Sequence, residues 1–110
     1  MNAPTSDQCQ LTLLSIVIPA RNEENCVGAT VEQLDAVLER EGVAHEIIVV
    51  DDGSKDRTPN VLQDLVQRIP RVRVLRNDGP HGFGRAVITG LDRMAGDAVV
   101  ITMADGSDDC

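Results

Sequence analysis

The stretch Glu46-Ile47-Ile48-Val49-Val50-Asp51-Asp52-Gly53-Ser54 decides the fold. A continuous run of β-branched residues, entered after a glycine stop at Gly42 and left through an Asp-Gly turn, reads as a strand buried on both faces. Two further apolar runs end the same way. Leu13 to Ile18, closed by Pro19, runs into Arg21-Asn22-Glu23, and Ala98 to Met103 runs into Asp105-Gly106-Ser107-Asp108-Asp109. Strands buried on both faces are strands of a parallel sheet covered by helices, so each polar turn falls at a strand's carboxyl end. Ligands of open α/β sheets bind along that edge.

Helical patterns fill the intervals. Val27, Val31, Leu34 and Leu38 recur at spacings of four, three and four, predicting a helix from Glu23 to Glu41 with Glu23 and Glu24 in its first turn. Thr58-Pro59 predicts an N-cap and a proline at the first helical position, followed by the stripe Leu62, Leu65, Val66 and Ile69. Arg71 to Arg76 alternates charge with apolar side chains, as a strand at a sheet edge does. Gly82-Phe83-Gly84 opens a third helix, with Phe83, Val87, Leu91 and Met94 as its apolar face. The pattern β-α-β-α-β-α-β with right-handed crossovers and an edge-like third strand predicts the order 3-2-1-4. The switch point then lies between strands 1 and 4, flanked by Glu23 and Asp105, with Asp52 one strand away.

Composition bounds the rest. The chain has 110 residues, one domain's worth, and 42% are apolar. Residues 1–12 are expected to be a loose tail, and residues 13–110 the domain. A net charge of −8 excludes general nucleic-acid binding, which needs a basic face. Cys9, Cys26 and Cys110 are odd in number and lack metal-ligand spacing, so reduced thiols in the cytoplasm are expected. No apolar run reaches the roughly 20 residues that span a bilayer. His45 and His81 show no partner pattern and read as surface residues.

The acidic turns admit two readings each. Asp52 can accept hydrogen bonds from a base or ribose, or simply make an Asp-Gly-Ser turn. Neither a turn nor a cap requires two aspartates, which favours a ligand role for one of them. Asp105 with Asp108 and Asp109 can hold magnesium or manganese, or be a solvated acidic segment. Gly82-Phe83-Gly84 suits close backbone approach, but it is neither a dinucleotide fingerprint nor a P-loop.

Three phrases together resemble the start of a family-two glycosyltransferase with the GT-A fold, nearest to dolichol-phosphate mannosyltransferase-like enzymes. They are Ser15-Ile16-Val17-Ile18-Pro19-Ala20-Arg21-Asn22-Glu23, then Glu46 through Ser54 with Asp56 and Thr58, and Gly96-Asp97 through Asp105. The resemblance implies a Rossmann-like GT-A nucleotide-binding half. Pro19, Arg21 and Glu23 would line the nucleotide site, Val50 and Asp52 would contact base and ribose, and Ala104 and Asp105 would lie in the metal-and-phosphate turn. It implies a nucleotide-diphosphate sugar as donor, inversion at the anomeric carbon, and a polyprenyl phosphate as acceptor. The setting would be the cytoplasm or the cytoplasmic face of a membrane, reached through residues beyond this sequence. Met103 stands where the family's Asp-x-Asp turn has its first aspartate, and a thioether is a poor ligand for a hard cation. Metal binding would then fall to Asp105 and Asp108. Catalytic domains of this family are about twice as long, so the chain is expected to be a donor-binding half that does not turn over alone. Two alternatives compete: a phospho-acceptor receiver domain, which also gathers aspartates around magnesium, and a nucleotide-binding module without catalysis.

Overall fold

The computed structural model describes residues 13–104. Four parallel strands, β1 (Leu14–Ala20), β2 (His45–Asp51), β3 (Val72–Arg76) and β4 (Ala98–Ile101), lie in the order β3-β2-β1-β4. Helices α1 (Val27–Arg40), α2 (Thr58–Arg68) and α3 (Phe83–Arg93) connect them. The predicted order is therefore the observed one. A receiver sheet runs 2-1-3-4-5, with its third strand beside the first; here β4 holds that place, so the receiver reading fails.

Alternation along the strands feeds two separate cores. Ile16, Ile18 and Ala20 join Ile47 and Val49 under α1 and α2, with Val27, Val31, Leu62 and Leu65. On the other face Val17, Ile48 and Val50 pack against Ala86 of α3. Helices on both faces explain why β1 and β2 read as unbroken apolar runs.

β1 does not stop before Pro19 as expected but continues to Ala20, paired with Asp51. The reason is parity. Even-numbered β1 residues bond toward β2 (Leu14 N to the Ala44 carbonyl, Asp52 N to the Ala20 carbonyl), and odd ones toward β4 (Thr102 N to the Val17 carbonyl). Pro19 is odd and lies past the last β4 pair, Val17 with Ile101, so its missing N–H breaks no bond. β4 is shorter than predicted, ending at Ile101, and its Val99, Val100 and Ile101 are exposed.

Three local expectations are corrected. Helix α1 begins at Val27, because Glu23 to Cys26 form a turn closed by the Cys26 and Val27 amides on the Glu23 carbonyl; α1 carries no acid in its first turn. Helix α2 begins at Thr58 with Arg57 before it, and Thr58 makes no cap bond; Val66 of its stripe is exposed. In α3 the buried residues are Ala86 and Gly90, while Phe83 is 53% exposed and Leu91 is exposed too. Small residues face the sheet there because the helix sits close. A Cβ on Gly90 would lie 2.5 Å from Cγ1 of Val17.

His45 is also corrected: its side chain is 0% exposed, with Nε2 2.8 Å from Asp35 Oδ1 and Nδ1 2.8 Å from the Val43 carbonyl. Arg71 closes on the same Asp35 through two hydrogen bonds of 2.7 and 3.1 Å. The arginines of the edge strand are thus paired, Arg73 with Glu46 and Arg76 with Asp78.

Candidate functional site

The carboxyl ends of β1, β2 and β4 are neighbours, at the ~4.8 Å spacing of paired strands, and all face one edge. Two loops form the wall above β1 and β2. Asn22, at φ 55, donates its amide to Ser54 Oγ at 2.9 Å and accepts from the Lys55 amide at 2.8 Å through its side chain. The Glu23 amide reaches Thr58 Oγ1 at 2.8 Å, and the Glu24 amide reaches Asp56 Oδ2 at 3.2 Å. In return, Glu24 Oε1 accepts from the Arg57 amide at 2.9 Å. Asp56 also takes the amide and hydroxyl of Thr58, at 2.8 and 2.6 Å. Ser54, Asp56 and Thr58 therefore serve to lock the β2–α2 loop to the β1–α1 loop. Five cross-loop hydrogen bonds make this part of the edge a preformed surface.

The aspartate doublet divides its labour. Asp51 makes the turn: its Oδ1 accepts from the Ser54 amide at 3.0 Å, and Arg76 lies 3.9 Å from Oδ2. Asp52, also buried, reaches instead to the β3–α3 loop. Its Oδ1 accepts from Asn77 Nδ2 at 2.7 Å and His81 Nδ1 at 2.9 Å, and its Oδ2 from the Gly82 amide at 2.8 Å. Burial pushes the Asp52 carboxyl up, but the hydrogen bonds from His81, Gly82 and Asn77 outweigh it and hold the group below its ordinary value. The Gly82 amide, at the start of the Gly-Phe-Gly segment, is turned onto Asp52. The His81 ring lies over Gly53, which has φ 78; a side chain there would meet the ring at 2.6 Å. His81 is thus at the surface, as its sequence reading has it, but it is also an Asp52 partner, which no local pattern marks.

The remaining expected residues sort as follows. Pro19 is buried in β1, Arg21 is exposed, and Glu23 is half-buried in the laced loop. Val50 is fully buried against α3, so its side chain belongs to the core. Ala104 is buried at the end of the β4 segment, where its carbonyl accepts from Thr30 Oγ1 of α1 at 2.8 Å. Asp105 and Asp108 lie outside the described residues, as do residues 1–12. No local pattern marks Asn77 and His81 as partners of Asp52, which lies 25 and 29 positions upstream of them.

The described residues do not make a cation site. Asp51 and Asp52 are engaged by donors, Met103 offers an exposed thioether, and no group of three His, Cys, Asp or Glu side chains stands together to hold a metal among the described residues. What the edge offers is a hydrogen-bonding surface with one oriented carboxylate at its centre. Among the described residues no helix is long and apolar enough to cross a membrane.

Comparison with known proteins agrees with this architecture. Residues 15–109 match the family model for glycosyl transferase family 2. The chain is 37% identical over 92 residues to a dolichol-phosphate mannosyltransferase of Pyrococcus furiosus, covering 84% of this chain and 25% of that protein. Among solved structures, the mannosyltransferase PcManGT of Pyrobaculum calidifontis, in complex with GDP-Man and Mn2+, superposes with a TM-score of 0.64 at 28% identity, over 84% of this chain and 27% of its own. Glucosyl-3-phosphoglycerate synthase of Mycobacterium tuberculosis, in complex with Mn2+, UDP and phosphoglyceric acid, gives 0.69 at 26% identity, over 84% and 32%. The chain thus spans less than a third of the length of these relatives. With its parallel sheet in the order 3-2-1-4 and its match along nearly the whole sequence, the chain belongs to glycosyl transferase family 2, with a Rossmann-like part of the GT-A fold.

Proposed function

We propose that the carboxyl edge of this sheet binds the nucleoside diphosphate of a sugar donor. The base would lie against Asp52, between the β1–α1 wall of Pro19, Arg21 and Glu23 and the β3–α3 loop. The diphosphate would point toward Ala104 and Asp105. The observation that carries this reading is the convergence of Asp52, the laced β1 and β2 loops and the Ala104 segment on one edge, at the topological switch between β1 and β4. Val50 would contribute only through its main chain, since its side chain is in the core.

Asp105 and Asp108 are the residues we assign to a divalent cation, magnesium or manganese, which would offset the charge of a diphosphate leaving group. Manganese in both solved relatives supports a metal in this family. The protein's own contribution is orientation: the edge places the base and presents the anomeric carbon to an acceptor entering from the open side, with inversion.

The acceptor we propose is a polyprenyl phosphate, by likeness to the dolichol-phosphate mannosyltransferase, at the cytoplasmic face of a membrane. The acceptor pocket then belongs to a longer protein, of which residues 13–110 are the donor-binding part. The test is an activity assay with nucleotide sugars and polyprenyl phosphate. A full-length protein containing this segment should turn over and lose activity on Asp52→Ala, while the 110-residue chain binds nucleotide without turnover. Nucleotide binding with no transfer by the full-length protein would favour a non-catalytic module instead. Multiple turnovers by the short chain would refute the half-site reading.

A further inference from the structure

Asp52 has two carboxylate oxygens and about four acceptor directions between them. The fold consumes three. Asn77 Nδ2 and His81 Nδ1 both donate to Oδ1, at 2.7 and 2.9 Å, and the Gly82 amide donates to Oδ2 at 2.8 Å. Nδ1 of His81 faces a carboxylate that only accepts, so it carries the ring hydrogen. One acceptor direction remains, on Oδ2, and the side chain is 6% exposed. The occupied directions are not easily vacated. Asn77 commits its Nδ2 to the Pro80 carbonyl as well, at 3.0 Å, and the His81 ring is seated over Gly53.

We infer that the base subsite accepts a base presenting a single edge N–H to Asp52, uracil being the example, and discriminates against guanine. Guanine presents two adjacent donors, N1–H and N2–H, which call for both oxygens of one carboxylate. With Oδ1 filled, the second donor would be buried without an acceptor, a loss of roughly ten- to a hundredfold in affinity. Asn77 and His81 are then specificity-determining residues, acting through Asp52. This rests on the proposal that Asp52 faces the base. The solved relatives, one with GDP-Man and one with UDP, show that the shared fold does not make this choice. In this chain the β3–α3 loop makes it.

Calorimetric titration of the 110-residue chain with UDP and GDP, and with uridine and guanosine to separate base from diphosphate, tests the inference. UDP should bind tighter than GDP by about tenfold or more. His81→Phe keeps a ring over Gly53 but removes the donor, freeing a direction on Oδ1, and should narrow that ratio by strengthening GDP. Asn77→Ala should narrow it too, and melting curves of both variants confirm that they fold. GDP binding as tightly as UDP to the unaltered chain would overturn the inference, as would an unchanged ratio in both folded variants. Binding of neither nucleotide would instead sink the donor-site reading, and this inference with it.

Discussion

Gly90→Ala is the sharpest test of how α3 sits on the sheet. A Cβ at that position would stand 2.5 Å from Val17 Cγ1, 3.2 Å from Val17 Cγ2 and 3.3 Å from Val50 Cγ2. Ordinary carbon contacts are about 3.5–4.0 Å, so the closest pair must part by roughly 1 Å. Val17 and Val50 are fully buried on the two central strands and their branched side chains have little rotamer freedom. The helix itself must therefore lift. Overpacking of this kind costs about 1–3 kcal/mol, and a gap that short on stiff neighbours belongs at the upper end. Alanine's better helix propensity returns up to ~1 kcal/mol. The net expectation is a loss of about 2 kcal/mol, or roughly 8–16 °C in melting temperature for a domain of this size. Gly84, in the same helix with nothing within 4 Å of its added Cβ, is the control. Gly84→Ala should be neutral or stabilising by up to ~1 kcal/mol. Urea denaturation of both variants reads the two signs. A Gly90→Ala chain as stable as the parent would refute the close helix–sheet contact.

Three further outcomes are expected. Glu46, buried at the far end of β2, accepts from Ser15 Oγ at 2.6 Å, the Ala95 amide at 2.7 Å and Arg73 at 2.9 Å; Arg73 keeps its bond to the Arg93 carbonyl, but Glu46→Ala leaves the buried Ser15 hydroxyl without its acceptor and should cost about 1–3 kcal/mol by denaturant titration. Thr58→Val keeps the shape but removes the acceptor of the Glu23 amide, so it should cost about 1–3 kcal/mol and speed hydrogen exchange at Glu23 above all other amides of that loop. Stability should also fall in acid. Asp35 is held below its ordinary 3.8 by Arg71, against burial and with help from His45. Glu46 and Asp52 are held below 4.5 and 3.8, burial notwithstanding, by their hydrogen-bond donors. A depressed carboxylate stabilises the fold above its unfolded value and stops doing so as pH falls through its folded one. Unfolding free energy should therefore decline as pH falls below about 4, and the Asp35→Asn variant should show a shallower acid decline. An equal decline would contradict the assignment.

The strand order was legible because two physical signals agreed. Unbroken apolar runs at β1 and β2 marked central strands, and the alternation Arg71-Val72-Arg73-Val74 marked an edge. Long-range side-chain bonds left no such trace. Glu23 to Cys26 fit a helical pattern, but hydrogen bonds to Thr58 and Asp56, over thirty residues away, help hold them as a turn. The apolar face of α3 is not legible from residue size, because proximity to Val17 and Val50 selects Ala86 and Gly90 over the larger, exposed Phe83 and Leu91. The same holds at the site. Asp52 stood out as the second of a doublet, but its three donors come from a loop whose sequence, Asn77 to Gly82, reads only as a turn.

If the carboxyl edge of β1, β2 and β4 is the donor site, a nucleotide must perturb that edge and not the opposite one. Amide NMR shifts of the 110-residue chain, followed during addition of UDP, measure it directly. The largest changes are expected at Arg21 to Glu23, Asp52, Gly82 and Thr102 to Ala104. Changes concentrated at the opposite edge, around Ala44, Arg71 and Ala95, would contradict the donor-site reading.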